Sequence, residues 1–202
     1  MCGRFVDPNL RGTDVEHVEL KINPIPRRYN VKPTNDVLIY RNVGAYARWG
    51  LVPHWHTGTL KEWKATTFNA RIEEASSKPA FREAWQKGRC LIPLSGYYEW
   101  RESNGAKSPY YISGTGNDSN LWAAGLASQW RGTLTCSMLT RPANASVSDI
   151  HHRMPVLLNT DEIGAWLGGT DDLNLGAETL LRHHEVAKIG RDDDGDSLIE
   201  PI

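Results

Sequence analysis

The apolar residues of this chain fall into short runs, separated by glycine, proline and polar turns, and this pattern limits the fold more than any other feature. The clearest run is Thr133 to Thr140, where Leu134, Cys136 and Met138 alternate with Thr135, Ser137 and Leu139. An alternation of period two places successive side chains on opposite faces of a strand. Similar runs stand at Val37 to Tyr40, Ala45 to Trp49, Cys90 to Pro93, Tyr110 to Ile112 and Leu121 to Ala124, and two more strands are expected at Val156 to Leu158 and Leu198 to Ile199. Helical signals are fewer. Ser76 or Ser77 is placed to cap a segment with Pro79 in its first turn, Phe81, Ala84 and Trp85 on one face, and Gly88 as its stop. Thr160 is placed to cap a second helix, with Asp161 and Glu162 suiting the positive end of the helix dipole. A third helix is expected from about Leu175 to His184 and an early one near Thr13 to Lys21. Many strands with a few separate helices predict an α+β fold, a single domain built on antiparallel β-sheets, barrel-like, with helices on its outside.

With 202 residues, 40% of them apolar and eight of them Trp, the chain can bury a substantial core. No repeat, low-complexity tract or linker divides it, which predicts one domain over residues 1–202. No apolar run approaches the about 20 residues that span a bilayer, and the first residues, MCGRFVDPNL, lack the apolar core of a secretory signal. The expected setting is the cytosol, or the nucleus in a eukaryotic host, with no membrane partner and a monomeric state. Cys2, Cys90 and Cys136 are an odd set without pairing spacing, so free thiols are expected. Cys90 and Cys136 sit on apolar faces and read as inert. The histidines His54, His56, His183 and His184 carry no metal-ligand spacing, so neither a metal site nor a cofactor is expected. A net charge of -1 argues against a long tract of duplex phosphates. Any nucleic-acid contact must come from a local arginine patch. The acidic run Arg191 to Gly195 reads as a solvated turn.

The second residue has chemistry of its own. Aminopeptidases remove an initiator Met that precedes a small residue such as Cys2, leaving a 1,2-aminothiol. Its amine titrates near about 7.7–8.0 and its thiol near about 8.5, so both nucleophiles are partly available at neutral pH. An aldehyde meets the amine first to give an imine, and the thiol then closes a five-membered thiazolidine. The plainer reading is that Cys2 belongs to a frayed terminus.

That reading yields to the company Cys2 keeps. Met1-Cys2-Gly3-Arg4-Phe5 is followed by Arg28-Tyr29-Asn30-Val31-Lys32-Pro33, Trp49-Gly50-Leu51-Val52-Pro53, Asn69-Ala70-Arg71-Ile72-Glu73, Gly88-Arg89-Cys90-Leu91-Ile92-Pro93, Gly96-Tyr97-Tyr98-Glu99-Trp100 and Ile150-His151-His152-Arg153-Met154-Pro155. In this order and at this spacing the chain resembles the SOS-response-associated peptidase (SRAP) family, whose members include abasic-site sensors, from Met1 to about Leu158. The resemblance implies that Cys2 is the nucleophile, that Asn69 holds the terminal amine, that Glu99 is the catalytic carboxylate and that His151 assists sugar opening and proton transfer. It also implies that Arg4, Arg71 and Arg153 grip phosphates, and that Trp49, Pro33 and Thr140 line the DNA path. Ser95 stands where the family commonly has Asp, and a minor change in hydrogen bonding is expected there.

The chemistry asks for such residue types on its own account. Imine formation needs a proton acceptor for the amine and a donor for the departing hydroxyl, work that a carboxylate and an imidazole can share. An amide can accept from the amine and fix its direction, and the arginine fork suits phosphate. Taken singly, each residue has a plainer role: Glu99 as an outward strand residue, the His151–His152 pair as a turn cap, Asn69 as a turn closure and Arg153 as packing. The tyrosines and Trp100 of the GYYEW block read mostly as core. Three functions follow for comparison. The first is an enzyme that senses abasic sites in single-stranded DNA and forms a thiazolidine crosslink through Cys2, with slow, lyase-like reversal. The second is an N-terminal-nucleophile cysteine peptidase, acting on outside peptides or on the Met1–Cys2 bond alone. The third is a non-catalytic reader of single-stranded DNA.

Overall fold

The computed structural model describes residues 2–9, 26–116 and 120–202. The early helix expected near Thr13 to Lys21 lies outside these residues. Two sheets carry the fold. In the first, β1 (Arg4–Val6), β6 (Gly96–Ser103), β7 (Ala106–Gly114) and β11 (Leu181–Glu185) lie side by side in that order, all antiparallel. In the second, β9 (Thr133–Pro142) is the hub. It pairs with β3 (Gly44–Trp49), β4 (Asn69–Arg71), β8 (Leu121–Trp130) and β10 (Arg153–Pro155). The hairpin of β2 (Asp36–Tyr40) and β3 joins β5 (Arg89–Leu94) through the single register pair Tyr40↔Leu91, and β5 runs on to β8, so the second sheet closes as a ring. The pairs β3–β9 and β4–β9 are parallel and the rest antiparallel. The expected α+β class with mostly antiparallel sheets is the fold found, with a ring rather than a regular barrel.

The alternation read in Thr133 to Thr140 divides the core in two. Cys136 and Met138 enter the ring with Trp49, Ile92, Ala123 and Met154. Leu139 faces the other way, toward a layer formed by Ile72, Trp85 and Trp166 of the helices. Because both faces of β9 are covered, Thr135, Ser137 and Thr140 are buried too. Helix α1 (Ile72–Ala75) continues directly from β4, and α2 (Arg82–Lys87) ends at Gly88 as expected. Its start is simpler than the sequence implied: Phe81 occupies the cap position and no side chain caps it. Helix α3 (Thr160–Leu167) is capped one residue earlier than expected, by Asn159, whose side chain accepts from the Glu162 N–H in a reciprocal capping box. Its buried Trp166 donates from Nε1 to the Cys90 carbonyl at 2.9 Å, docking the helix on β5.

Three expectations are corrected. The segment Leu175 to His184 is not a helix. Gly176 has φ +70° and packs against the backbone of Leu157, and the chain then forms β11, whose edge ladder to β7 overrides local preference. Val156 to Leu158 is one bridge, Leu157 against Ala123, because the chain is crossing from β9 to β8 there; the strand is β10, three residues earlier. Leu198 and Ile199 lie in a 3-10 turn, Asp196–Ile199, which buries Leu198. The acidic turn is also more than solvated surface. Asp194 accepts from the Tyr29 N–H at 2.5 Å, and Asn30 donates to the carbonyls of Gly190 and Asp193 at 3.1 and 2.8 Å, stapling the end of the chain to the segment before β2.

Candidate active site at the amino terminus

The site forms where the two sheets meet. Strand β1 pairs with β6 in the register Arg4↔Tyr98 and Phe5↔Tyr97, so continuing by one residue sets Gly3 opposite Glu99. Phe5 is pinned on its other side by mutual backbone hydrogen bonds with Val31, at 3.2 and 2.9 Å. This double pairing carries Cys2 inward, and it is wholly buried at 0% exposure. Gly96 opens β6 because a Cβ there would stand 2.5 Å from the Tyr111 ring and 2.6 Å from the Ile112 carbonyl, leaving no room for any other residue.

The second sheet supplies the facing wall. Asn69, on β4 opposite Met138, donates from Nδ2 to the Cys2 carbonyl at 2.6 Å. Its Oδ1 is buried and has no hydrogen-bond partner among the described residues. The structure therefore shows Asn69 gripping the carbonyl of residue 2, where the resemblance pointed to its amine; the unused oxygen is the atom of the right polarity for an amine. His151 enters from the turn before β10. Its Nδ1 lies 4.0 Å from Glu99 Oε1, 3.0 Å from the Arg153 N–H and 3.2 Å from the Arg153 carbonyl. A neutral Nδ1 can accept from the N–H and a protonated one can donate to the carbonyl, so both states are accommodated. The His152 ring stacks on it at 4.3 Å.

Burial sets the electrostatics. It pushes the Cys2 thiol well above its ordinary range, and the Glu99 charge adds to the shift. Burial also lowers the His151 imidazole, outweighing the upward pull of Glu99, so the ring is mostly neutral at pH 7. Because the folded value lies below the unfolded value of about 6.5, the unfolded chain binds more protons between the two. Stability is then present above about pH 6.5 and is lost as pH falls toward the folded value. Urea denaturation is expected to show a midpoint that drops on acidification through this window, with a shallower drop in His151→Asn.

The arginines divide. Arg71 is exposed and pairs with Glu74 at 3.6 Å, a surface pair of little worth that leaves the guanidinium open to an anion. Arg4 donates to the carbonyls of Ile189 and Gly190 at 3.1 and 3.3 Å and lies 5.4 Å over the Trp100 ring, so its work here is to anchor the C-terminal segment. Arg153 is buried at 8% exposure, forked onto Glu73 at 2.6 and 2.9 Å, and donates to the Thr140 carbonyl at 2.7 Å. The fork in turn holds the Glu73 carboxyl below the usual range. Sequence reasoning missed Glu73, whose only signal is its place in the first turn after Asn-Ala-Arg. Glu73→Ala strands a buried guanidinium. Since Glu73 itself is partly exposed, a loss of roughly 1–3 kcal/mol is expected rather than the full cost of a buried pair, read as a lower urea midpoint.

Two of the expected DNA-lining residues are core. Trp49 and Thr140 are both at 0% exposure. Trp49 donates to the Phe68 carbonyl at 2.7 Å and packs edge-on against Phe5 at 5.0 Å, while Thr140 accepts Arg153 and bonds the Ala70 carbonyl. Neither offers a surface in this structure; each supports β1 or β4 from behind. Pro33 remains accessible, in a turn whose next residue, Thr34, has φ 80°. Ser95 takes up a bond of its own, donating to the Asp7 carbonyl at 2.8 Å and accepting from Arg27 at 3.0 Å. Exposed Trp55 and half-buried His56 and Trp63 form a ring cluster on the loop that leads to Asn69, in which the sequence pointed only to His56; Trp55 and Trp63 meet edge-on at 5.7 Å.

This architecture defines a class: an α+β protein whose second residue, Cys2, is built into its interior between its two sheets, near a carboxylate–imidazole pair. The chain matches the SOS response associated peptidase (SRAP) family over residues 1–190 and belongs to it. It is 34% identical over 186 residues to the abasic site processing protein YoqW of Bacillus subtilis, covering 83% of this chain and 80% of that one. It is 32% identical over 164 residues to the abasic site processing protein HMCES of Gallus gallus, covering 68% of this chain and 49% of that one. A crystal structure of a protein from Bacteroides thetaiotaomicron superposes with a TM-score of 0.73 at 26% identity, covering 86% of this chain and 85% of that one.

Proposed function

We propose that this protein processes abasic sites in single-stranded DNA by trapping the sugar aldehyde on the aminothiol that Met1 removal creates at Cys2. The observation that carries the reading is the enclosure of Cys2, with its carbonyl gripped by Asn69 and a carboxylate–imidazole pair beside it. The names of the relatives, abasic site processing proteins, point the same way. The freed amine attacks the aldehyde, oriented by the open Asn69 Oδ1. Glu99 and His151 exchange the protons that carbinolamine formation and loss of water require. The Cys2 sulfur then adds to the imine carbon and closes the thiazolidine. Enclosure shields the ring from water, and reversal through the same groups makes a slow lyase step. Arg71 meets the phosphates first, and Arg4 and Arg153 join only if their present partners are exchanged for the strand. A near-neutral monomer in the cytosol or nucleus suffices for a short single-stranded stretch.

The peptidase reading keeps Cys2 but asks its thiol to attack an amide. A thiol raised by burial is a poor attacker of outside peptides, which confines that activity to the Met1–Cys2 bond. The test mixes the protein with single-stranded DNA bearing one abasic site and resolves the products on a denaturing gel. A heat-stable shifted band with Met1 absent by intact mass is expected. A shift that vanishes on denaturation would leave a non-covalent reader, and cleavage of unrelated peptides would favour the peptidase.

A further inference from the structure

Tyr97 lies on β6 two residues before Glu99, and alternate residues of a strand share a face, so phenol and carboxylate project to one side. Its ring is at 0% exposure, in the same buried cluster as Cys2 and Phe5, and β1 sets Phe5 directly opposite it. The hydroxyl has no hydrogen-bond partner among the described residues. Neighbouring tyrosines use theirs: Tyr98 donates to the Tyr29 carbonyl at 2.9 Å and Tyr110 to Glu185 at 3.2 Å. A buried hydroxyl left unused is unfavourable, and a phenylalanine would fill the same space without that cost. Burial, Cys2 and Glu99 together push the phenol far up, so it stays protonated and serves only to pass a proton on. The raised Cys2 thiol has the matching need, since it cannot shed its proton to solvent from inside the core.

We infer, on the basis of the aminothiol reading above, that the Tyr97 hydroxyl relays a proton from the Cys2 thiol to the Glu99 carboxylate as the thiazolidine ring closes. In this step Cys2 Sγ bonds to the iminium carbon, and the C=N electron pair returns to nitrogen and neutralises it. The S–H proton moves to Tyr97 Oη while the phenol's own proton moves to Glu99. Nothing is oxidised or reduced, and the proton released by sulfur ends on the carboxylate. Imine formation, which involves the amine alone, does not pass through Tyr97.

The test compares the wild-type protein with Tyr97→Phe on the abasic oligonucleotide, quenching aliquots either with borohydride, which traps the imine, or with heat, which leaves only the closed ring. Tyr97→Phe is expected to form the borohydride-trapped adduct at the wild-type rate but to accumulate the heat-stable one about 10–100-fold more slowly. Its melting temperature is expected to match or exceed the wild-type value, because the lost oxygen had no partner. Equal heat-stable rates overturn the relay. So does parallel slowing of both adducts, or failure of Tyr97→Phe to fold, since each makes the hydroxyl structural. A wild-type protein that forms neither adduct removes the aminothiol reading and the relay together, whereas normal wild-type crosslinking with Tyr97→Phe unimpaired removes the relay alone.

Discussion

Cys2→Ala is expected to lose the heat-stable adduct with abasic single-stranded DNA and to keep a trappable one. Alanine is small enough for Met1 still to be removed, so a terminal amine remains at the same place, held through the residue 2 carbonyl by Asn69. That amine forms an imine, which borohydride captures, but no sulfur is present to close the ring and the imine hydrolyses on heating. Loss of one small buried side chain costs about 1–2 kcal/mol, well within what a domain of this size tolerates. The two quenches should therefore diverge completely in this variant: near-normal capture with borohydride and no band after heat. Loss of both, with circular dichroism unchanged, would show that sulfur rather than the amine makes first contact and would sink the proposed order of events.

Glu99→Gln is expected to slow adduct formation by about 100- to 10,000-fold, the range usual for removing a positioned acid–base group. Glutamine keeps the shape and gives up both the charge and the ability to carry a proton. Two further consequences have definite signs. Without the carboxylate, the His151 imidazole loses the influence that raises it, so its titration moves lower still. The Cys2 thiol loses an influence that also raises it, so it becomes easier to ionise. A pH profile of single-turnover crosslinking should show the acid limb moving to lower pH along with the drop in rate. A drop of less than about tenfold would assign the proton transfers to His151 alone.

The strands were legible wherever pattern and environment agreed. Thr133 to Thr140 alternates, and the same alternation divides its side chains between the ring and the helix layer. Asn104-Gly105, with φ of 52° and 78°, forms the two-residue turn between β6 and β7 that such a dipeptide favours, a signal the strand reading did not use. Arg131-Gly132 makes the same turn between β8 and β9 with φ of 45° and 82°, and its arginine gives no such hint; β8 runs on to Trp130, past the Leu121 to Ala124 legible in the sequence, where Gly125 interrupts the apolar run. The helix expected from about Leu175 to His184 ends in residues of β11, which pairing with β7, some 70 residues away by register, makes a strand. The site was legible only through the order of its motifs. Cys2, Asn69, Glu99 and His151 share no local spacing, and sheets that pair distant segments bring them together. Burial of Trp49 and Thr140 was beyond reach for a related reason, since a residue next to a site and a residue behind it look alike in sequence; for Arg153, packing was the plainer of the two roles the sequence offered, and it is the one found here.

The inward course of β1 has a practical consequence for anyone handling this protein. A purification tag fused ahead of residue 2 would turn the amine proposed as the nucleophile into an amide, at a residue that is 0% exposed. Such a preparation would not react by the proposed route, and its silence would say nothing about the native chain. A handle is better placed away from Cys2, for instance beside Ile202, which is 80% exposed.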